Sequence, residues 1–111
     1  MTWRARALVF SGRPDPTWEL SRDEQQAFMV AWSQLPSAGA VEAVPPAALG
    51  YRGVEIIADD GRRWVASGGV VTLTANAEPT SRLDSERTIE HLVLATAPTG
   101  LLPPGAGPAA P

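Results

Sequence analysis

Gly53-Val54-Glu55-Ile56-Ile57-Ala58-Asp59-Asp60-Gly61-Arg62-Arg63-Trp64-Val65-Ala66-Ser67-Gly68-Gly69-Val70-Val71-Thr72-Leu73-Thr74-Ala75 is the stretch on which the fold turns. Both halves are rich in β-branched and aromatic residues, and Asp60-Gly61 between them is a tight-turn signal. The pattern predicts a hairpin with a first strand over 54–59 and a second arm from 62 to about 75. In that second arm Val65, Val71 and Leu73 fall in phase on one face. Gly68-Gly69 interrupts the alternation and reads as a bulge or a close backbone contact. Taken as one continuous arm, this phase puts Trp64 on the opposite face of the sheet.

Toward the N-terminus, Trp3, Ala5, Ala7 and Val9 alternate with Arg4, Arg6, Leu8 and Phe10, which predicts a strand over 3–10. Ser11-Gly12-Arg13-Pro14-Asp15-Pro16-Thr17-Trp18 follows as a stiff loop, because two prolines fix φ and hold the preceding residues extended. Ser21 and Glu24 have the spacing of a capping box, so a helix is expected over about 22–35, with Ala27, Phe28, Ala31, Trp32 and Leu35 inward. Residues 36–50 form an Ala- and Pro-rich connection in which Val41 to Val44 allow a short edge strand or a turn.

Toward the C-terminus, a polar turn over 76–81 leads to a second helix starting between Ser81 and Asp84 and ending near Thr96. Leu83, Ile89, Leu92, Val93 and Thr96 form its buried stripe, with Arg87 and Glu90 outward. Pro98 closes it, and residues 98–111, uncharged and rich in proline and glycine, read as a tail. The element order is β-α-β-β-α. The fold class is therefore α+β, a small antiparallel sheet with two helices packed on one face, in a single domain over 1–97.

Composition narrows the chemistry. The 111 residues carry a net charge of -3, no cysteine and one histidine, and all nine basic residues are arginine. A thiol nucleophile, a disulfide framework and a zinc-finger spacing all need residues the chain lacks. Without lysine there is no Schiff base and no P-loop. The acidic balance argues against general nucleic-acid binding. No apolar run approaches the length of a membrane span, and Ser11-Gly12-Arg13 interrupts any leader-like segment, so a cytoplasmic location is expected. No cofactor is implied.

The candidate binding residues are Phe10, Arg13, Asp15, Trp18, Arg52 and Trp64. Arg13, Asp15 and Trp18 place a guanidinium, a carboxylate and an indole on one rigid loop, a combination suited to gripping an anion or a partner side chain. Trp64 and Phe10, pointing away from the helices, would form an apolar patch on the sheet. Asp59-Asp60 is explained by turn geometry, and Glu86 with Glu90 by a solvated helix face, so neither pair is a catalytic dyad. His91 lacks a nucleophile or an orienting partner in any recognisable pattern. The sequence therefore predicts a small non-enzymatic binding or accessory protein engaging a protein or peptide, or a second copy of itself, through the sheet face and the Arg/Trp loop. The alternatives are a small enzyme or ligand-binding domain with an Arg-lined pocket for an anionic or polar molecule, and an acidic inhibitor or immunity-type protein.

Overall fold

A computed structural model describes residues 2–9, 15–38, 53–75 and 79–102. Among these, six strands and two helices follow one another as β1 (Trp3–Ala7), β2 (Thr17–Leu20), α1 (Arg22–Ser33), β3 (Val54–Ile57), β4 (Arg63–Ser67), β5 (Val70–Thr74), β6 (Thr80–Leu83) and α2 (Thr88–Leu94). The strands form one sheet in the order β2-β1-β3-β4-β5-β6, and every neighbouring pair is antiparallel. The α+β class and the antiparallel sheet agree with the sequence reading, but the order of elements differs from β-α-β-β-α in three places.

The first difference decides which face Trp64 occupies. Gly68 and Gly69 do not bulge within a long strand; they reverse the chain. Both have positive φ, 62° and 88°, as the two central residues of a type I′ turn require, and Ser67 pairs directly with Val70 across them. Across such a two-residue turn the parity of inward positions inverts. Val65 therefore sits opposite Thr72 on one face, and Trp64 sits opposite Leu73 on the other. Trp64 thus joins Val71 and Leu73 on the helix-covered face.

The second difference is β2, which replaces the end of the expected loop. Pro16 leads into it without loss, because its carbonyl accepts from the Ala7 N–H at 3.1 Å and no donor is needed there. The third is β6, which replaces the expected start of the second helix and delays α2 to Thr88. Leu83 consequently lies on an exposed strand, not on the stripe of a helix.

Elsewhere the local chemistry acts as its residues dictate. The Ser21 hydroxyl accepts from the Glu24 N–H at 3.1 Å and the Glu24 carboxylate accepts from the Ser21 N–H at 2.8 Å, which completes the capping box. Asp59, Asp60 and Gly61 make a three-residue hairpin loop, with Gly61 at φ 93° and Ala58 bonded to Arg62. The α1 C-terminus has no basic residue of its own. Arg82 of β6 supplies one, donating from Nη1 to the carbonyls of Trp32 and Leu35 at 2.9 and 3.4 Å while its guanidinium lies 4.7 Å over the Trp32 ring.

The core lies between the inner sheet face and the helices. Trp3, Ala5, Ala7, Trp18, Leu20, Val54, Ile56, Trp64, Ala66 and Val71 come from the sheet, and Phe28, Trp32, Ile89 and Val93 from the helices. Its centre is aromatic: Trp3 and Trp64 stack with ring centroids 5.3 Å apart, and Phe28 meets Trp64 edge-on at 5.1 Å. Leu102 also packs against this core, so the chain beyond Pro98 returns to the body for at least one contact.

Candidate functional site

The residues singled out from sequence divide sharply. Trp18 and Trp64 belong to the core. Trp64 is 1% exposed, and Trp18 is buried on the same inner face, where its indole N–H donates to the Thr96 hydroxyl at 2.8 Å. Neither presents an outward aromatic surface, because both sit at inward register positions, opposite Leu73 and Ala5 respectively. Asp15 is half-buried, and its Oδ1 accepts from the Val9 N–H at 3.0 Å, so it tethers the chain on either side of the 10–14 segment. Phe10, Arg13 and Arg52 lie outside the described residues.

The carboxylates proposed to lie on a solvated face also separate. Glu86 is exposed, but Glu90 is 2% exposed, with the Arg87 guanidinium 3.6 Å away, so Glu90 faces inward rather than outward. Asp84, equally buried, accepts the Ile89 N–H through Oδ2 at 3.0 Å, and its own N–H donates to the Gly69 carbonyl at 2.7 Å. These bonds fasten the start of α2 to the β4–β5 turn. Arg87 adopts φ 60° there, and a Cβ at Gly69 would lie 2.2 Å from its Nη1. Glycine is required at 69 by its φ of 88°, and the Arg87 guanidinium packs into the space that its missing side chain leaves. His91 is exposed on α2.

At the β3–β4 end of the sheet, Arg62 lies over Trp3 and Trp64, 5.5 and 5.1 Å from their ring centroids, and donates from Nε to Asp60 Oδ2 at 2.8 Å. The Trp3 indole donates to Asp59 at 3.1 Å. The Arg62 backbone N–H, followed by its guanidinium, holds the Asp60 carboxyl below its ordinary value. A notch of about 360 Å³ opens beside this turn, lined by Asp60, Gly61, Arg62 and Ala75. The arrangement fixes the hairpin tip; it brings no nucleophile and base together.

The feature that the sequence reading did not identify is on the outer face of the sheet. The register places Arg6 of β1 opposite Glu55 of β3, and Arg63 of β4 one position diagonally away. Glu55 is only 1% exposed, although the alternation of β3 directs it away from the helices. Arg6 Nη2 lies 2.7 Å from Glu55 Oε1, and Arg63 engages Oε2 through both Nε and Nη2. The two arginine side chains remain about half exposed, at 42% and 52%, although Arg6 Nε itself is buried without a hydrogen-bond partner. One buried carboxylate thus pairs with two partly exposed arginines, hydrogen-bonded to Arg63 and within ion-pair distance of Arg6.

Around this cluster the same face carries Arg4, Thr17, Glu19, Ile57, Val65, Val70, Thr72 and Leu83. Ile57, at 43%, is among the most exposed large apolar residues. The signal available in the sequence was charge within three strands, Arg6, Glu55 and Arg63; the phase that turns Arg63 outward and the register that makes those strands neighbours were not. Among the described residues no group of His, Asp or Glu is arranged to hold a metal ion, and no helix is long and apolar enough to cross a membrane.

No protein family, curated protein or solved structure matches the chain. The site therefore rests on its own chemistry.

Proposed function

We propose that this chain is a non-enzymatic binding or accessory protein that engages a protein or peptide partner through the outer face of its sheet. The observation that supports this reading is the asymmetry of the two faces. The inner face is filled by tryptophans and covered by α1 and α2. The outer face sets exposed Ile57 beside the arginines that Glu55 holds. Arginine next to exposed apolar surface is the composition of an interface centre, and side chains already fixed before binding lose little entropy on contact. The partner surface is thus the sheet itself, without Trp18 or Trp64. A second copy of the chain is one form that the partner takes in this proposal, and a cytoplasmic setting belongs to the same proposal.

The test has two stages. Sedimentation of the purified chain first decides whether it self-associates. Affinity capture from the native cell is then compared for the unaltered chain, Ile57→Asp on the outer face, and Val30→Asp on α1, where Val30 is 56% exposed. A partner or a dimer lost with Ile57→Asp and kept with Val30→Asp is the expected result. Binding that survives Ile57→Asp, or that disappears only with Val30→Asp, would overturn the assignment of this face.

A further inference from the structure

We infer that the partner bound on the outer face is an acidic segment, and that Arg6 and Arg63 receive one of its carboxylates. The inference rests on the docking role of this face and adds the chemistry of the occupant.

The argument starts from the donors. Each guanidinium has five N–H groups in a rigid fork. Glu55 engages Arg6 through Nη2, and Arg63 through Nε and Nη2, so most N–H groups of the pair are not directed at Glu55. Because Glu55 is buried and the arginine side chains are about half exposed, the carboxylate and Arg6 Nε lie beneath while the exposed parts of both side chains reach the surface. A pair fixed from below in this way presents donors outward without having to be ordered by the ligand.

The charge balance agrees. On the outer face of the described strands stand Arg4, Arg6 and Arg63 against Glu19 and Glu55, an excess of one positive charge in a chain whose net charge is -3. Arg4 is exposed and adjacent in the strand to the Arg6 position by two residues, so it extends the positive surface along β1. Glu19, its cross-strand neighbour, lies at the β2 edge. The centre of the face therefore favours an anion, while Ile57 and Val65 accommodate apolar parts of the same segment. A carboxylate matches the guanidinium fork, and successive acidic residues two apart on an extended segment would meet Arg6 and Arg4 in turn.

The experiment uses the isotopically labelled chain and three peptides, hexaglutamate, hexalysine and hexaserine, with inorganic phosphate as a further probe. Amide chemical shifts locate binding, and fluorescence anisotropy of labelled peptide measures it at low and moderate salt. The expected result is saturable binding of hexaglutamate alone, with shifts concentrated at Arg4, Arg6, Glu55 and Arg63. Arg63→Gln should weaken it about tenfold, the loss of roughly one charge-assisted hydrogen bond. Arg22→Gln, which removes the same charge from α1, should change it less than about twofold if the effect is local rather than one of net charge, which salt screens.

Several results would overturn the inference: equal weakening by Arg22→Gln, shifts centred elsewhere, comparable binding of hexalysine or hexaserine, or binding of phosphate with none of hexaglutamate. Should Arg63→Gln fail to fold, the shift map on the unaltered chain still decides. A partner sensitive to Ile57→Asp, found together with no hexaglutamate binding, refutes the acidic occupant and leaves the docking face standing. Loss of both refutes the two together.

Discussion

Replacing Trp64 with alanine tests the parity inversion on which the assignment of faces depends. The side chain is 1% exposed, stacked on Trp3, met edge-on by Phe28 and overlain by Arg62. Truncating a buried large aromatic costs about 3–5 kcal/mol, transfer and cavity terms together. Each specific ring contact is worth about 0.5–1.5 kcal/mol beyond area, so the upper part of that range applies here. Small domains have total stabilities of about 5–15 kcal/mol, and the substitution would remove a large fraction of it. For a chain of this size the melting temperature should fall by roughly 15–25 °C. Urea unfolding followed by far-ultraviolet circular dichroism is the suitable assay, because the substitution removes one of the four tryptophans that fluorescence would report. The slope with denaturant should stay unchanged while the midpoint drops. Combining it with Trp3→Ala should reveal a coupling of about 1 kcal/mol, since the rings touch. A loss below about 1 kcal/mol for Trp64→Ala would mean that the tryptophan faces solvent and that the strands after Gly69 have been placed in the wrong phase.

Three further outcomes are expected. Gly53→Ala should destabilise the protein severely, because φ is 127° and the new Cβ would lie 2.3 Å from the Ala66 carbonyl oxygen; Gly61→Ala, with φ 93° and nothing within 4 Å, should cost only about 1–2 kcal/mol of backbone strain by thermal melting. Glu55→Gln should lower stability by about 1–2 kcal/mol in urea titrations, because charge-assisted bonds are lost while the half-exposed guanidiniums left behind are screened by water, whereas a value near zero would show that the cluster contributes nothing to folding. Carbon-detected titration should find the Asp60 carboxyl below its ordinary value and only partly returned toward it by Arg62→Gln, because the backbone N–H at position 62, the larger cause, remains while the guanidinium is lost. Because its folded pKa is depressed, whatever stability it contributes is present above the unfolded pKa and lost as pH falls through the folded one.

Which parts of this fold can be read from sequence follows from the range of the interactions concerned. The capping box at Ser21 and Glu24 is local, and its residues specify it completely. The β3–β4 hairpin is also local, and Asp60-Gly61 announces it. The face of Trp64 is not legible in the sequence because Gly68-Gly69 admits two geometries, a bulge that preserves phase and a two-residue turn that inverts it, and only pairing with later residues distinguishes them. β2 and β6 are four residues each, too short for periodicity to separate from loop, and their edge positions are fixed by partners elsewhere in the chain. The Arg6–Glu55–Arg63 cluster joins three strands. Only Arg6 is legible as an outward charge, since the phase of one continuous arm turns Arg63 inward, and the meeting of the three depends on β1 lying between β2 and β3, an order that no local signal encodes.

Arg82 carries a consequence for how the chain reaches this structure. Helix α1 is well started by its own residues but is finished by a guanidinium 50 positions later in the chain, and the backbone between Pro36 and Ala38 pairs with the same strand. The last turn of the helix therefore gains these partners only after β3, β4 and β5 have been synthesised. A nascent chain stopped before β6 would hold a capped but unfinished helix beside an open sheet edge. Folding should accordingly be all-or-none, with its rate set by long-range closure rather than by helix formation.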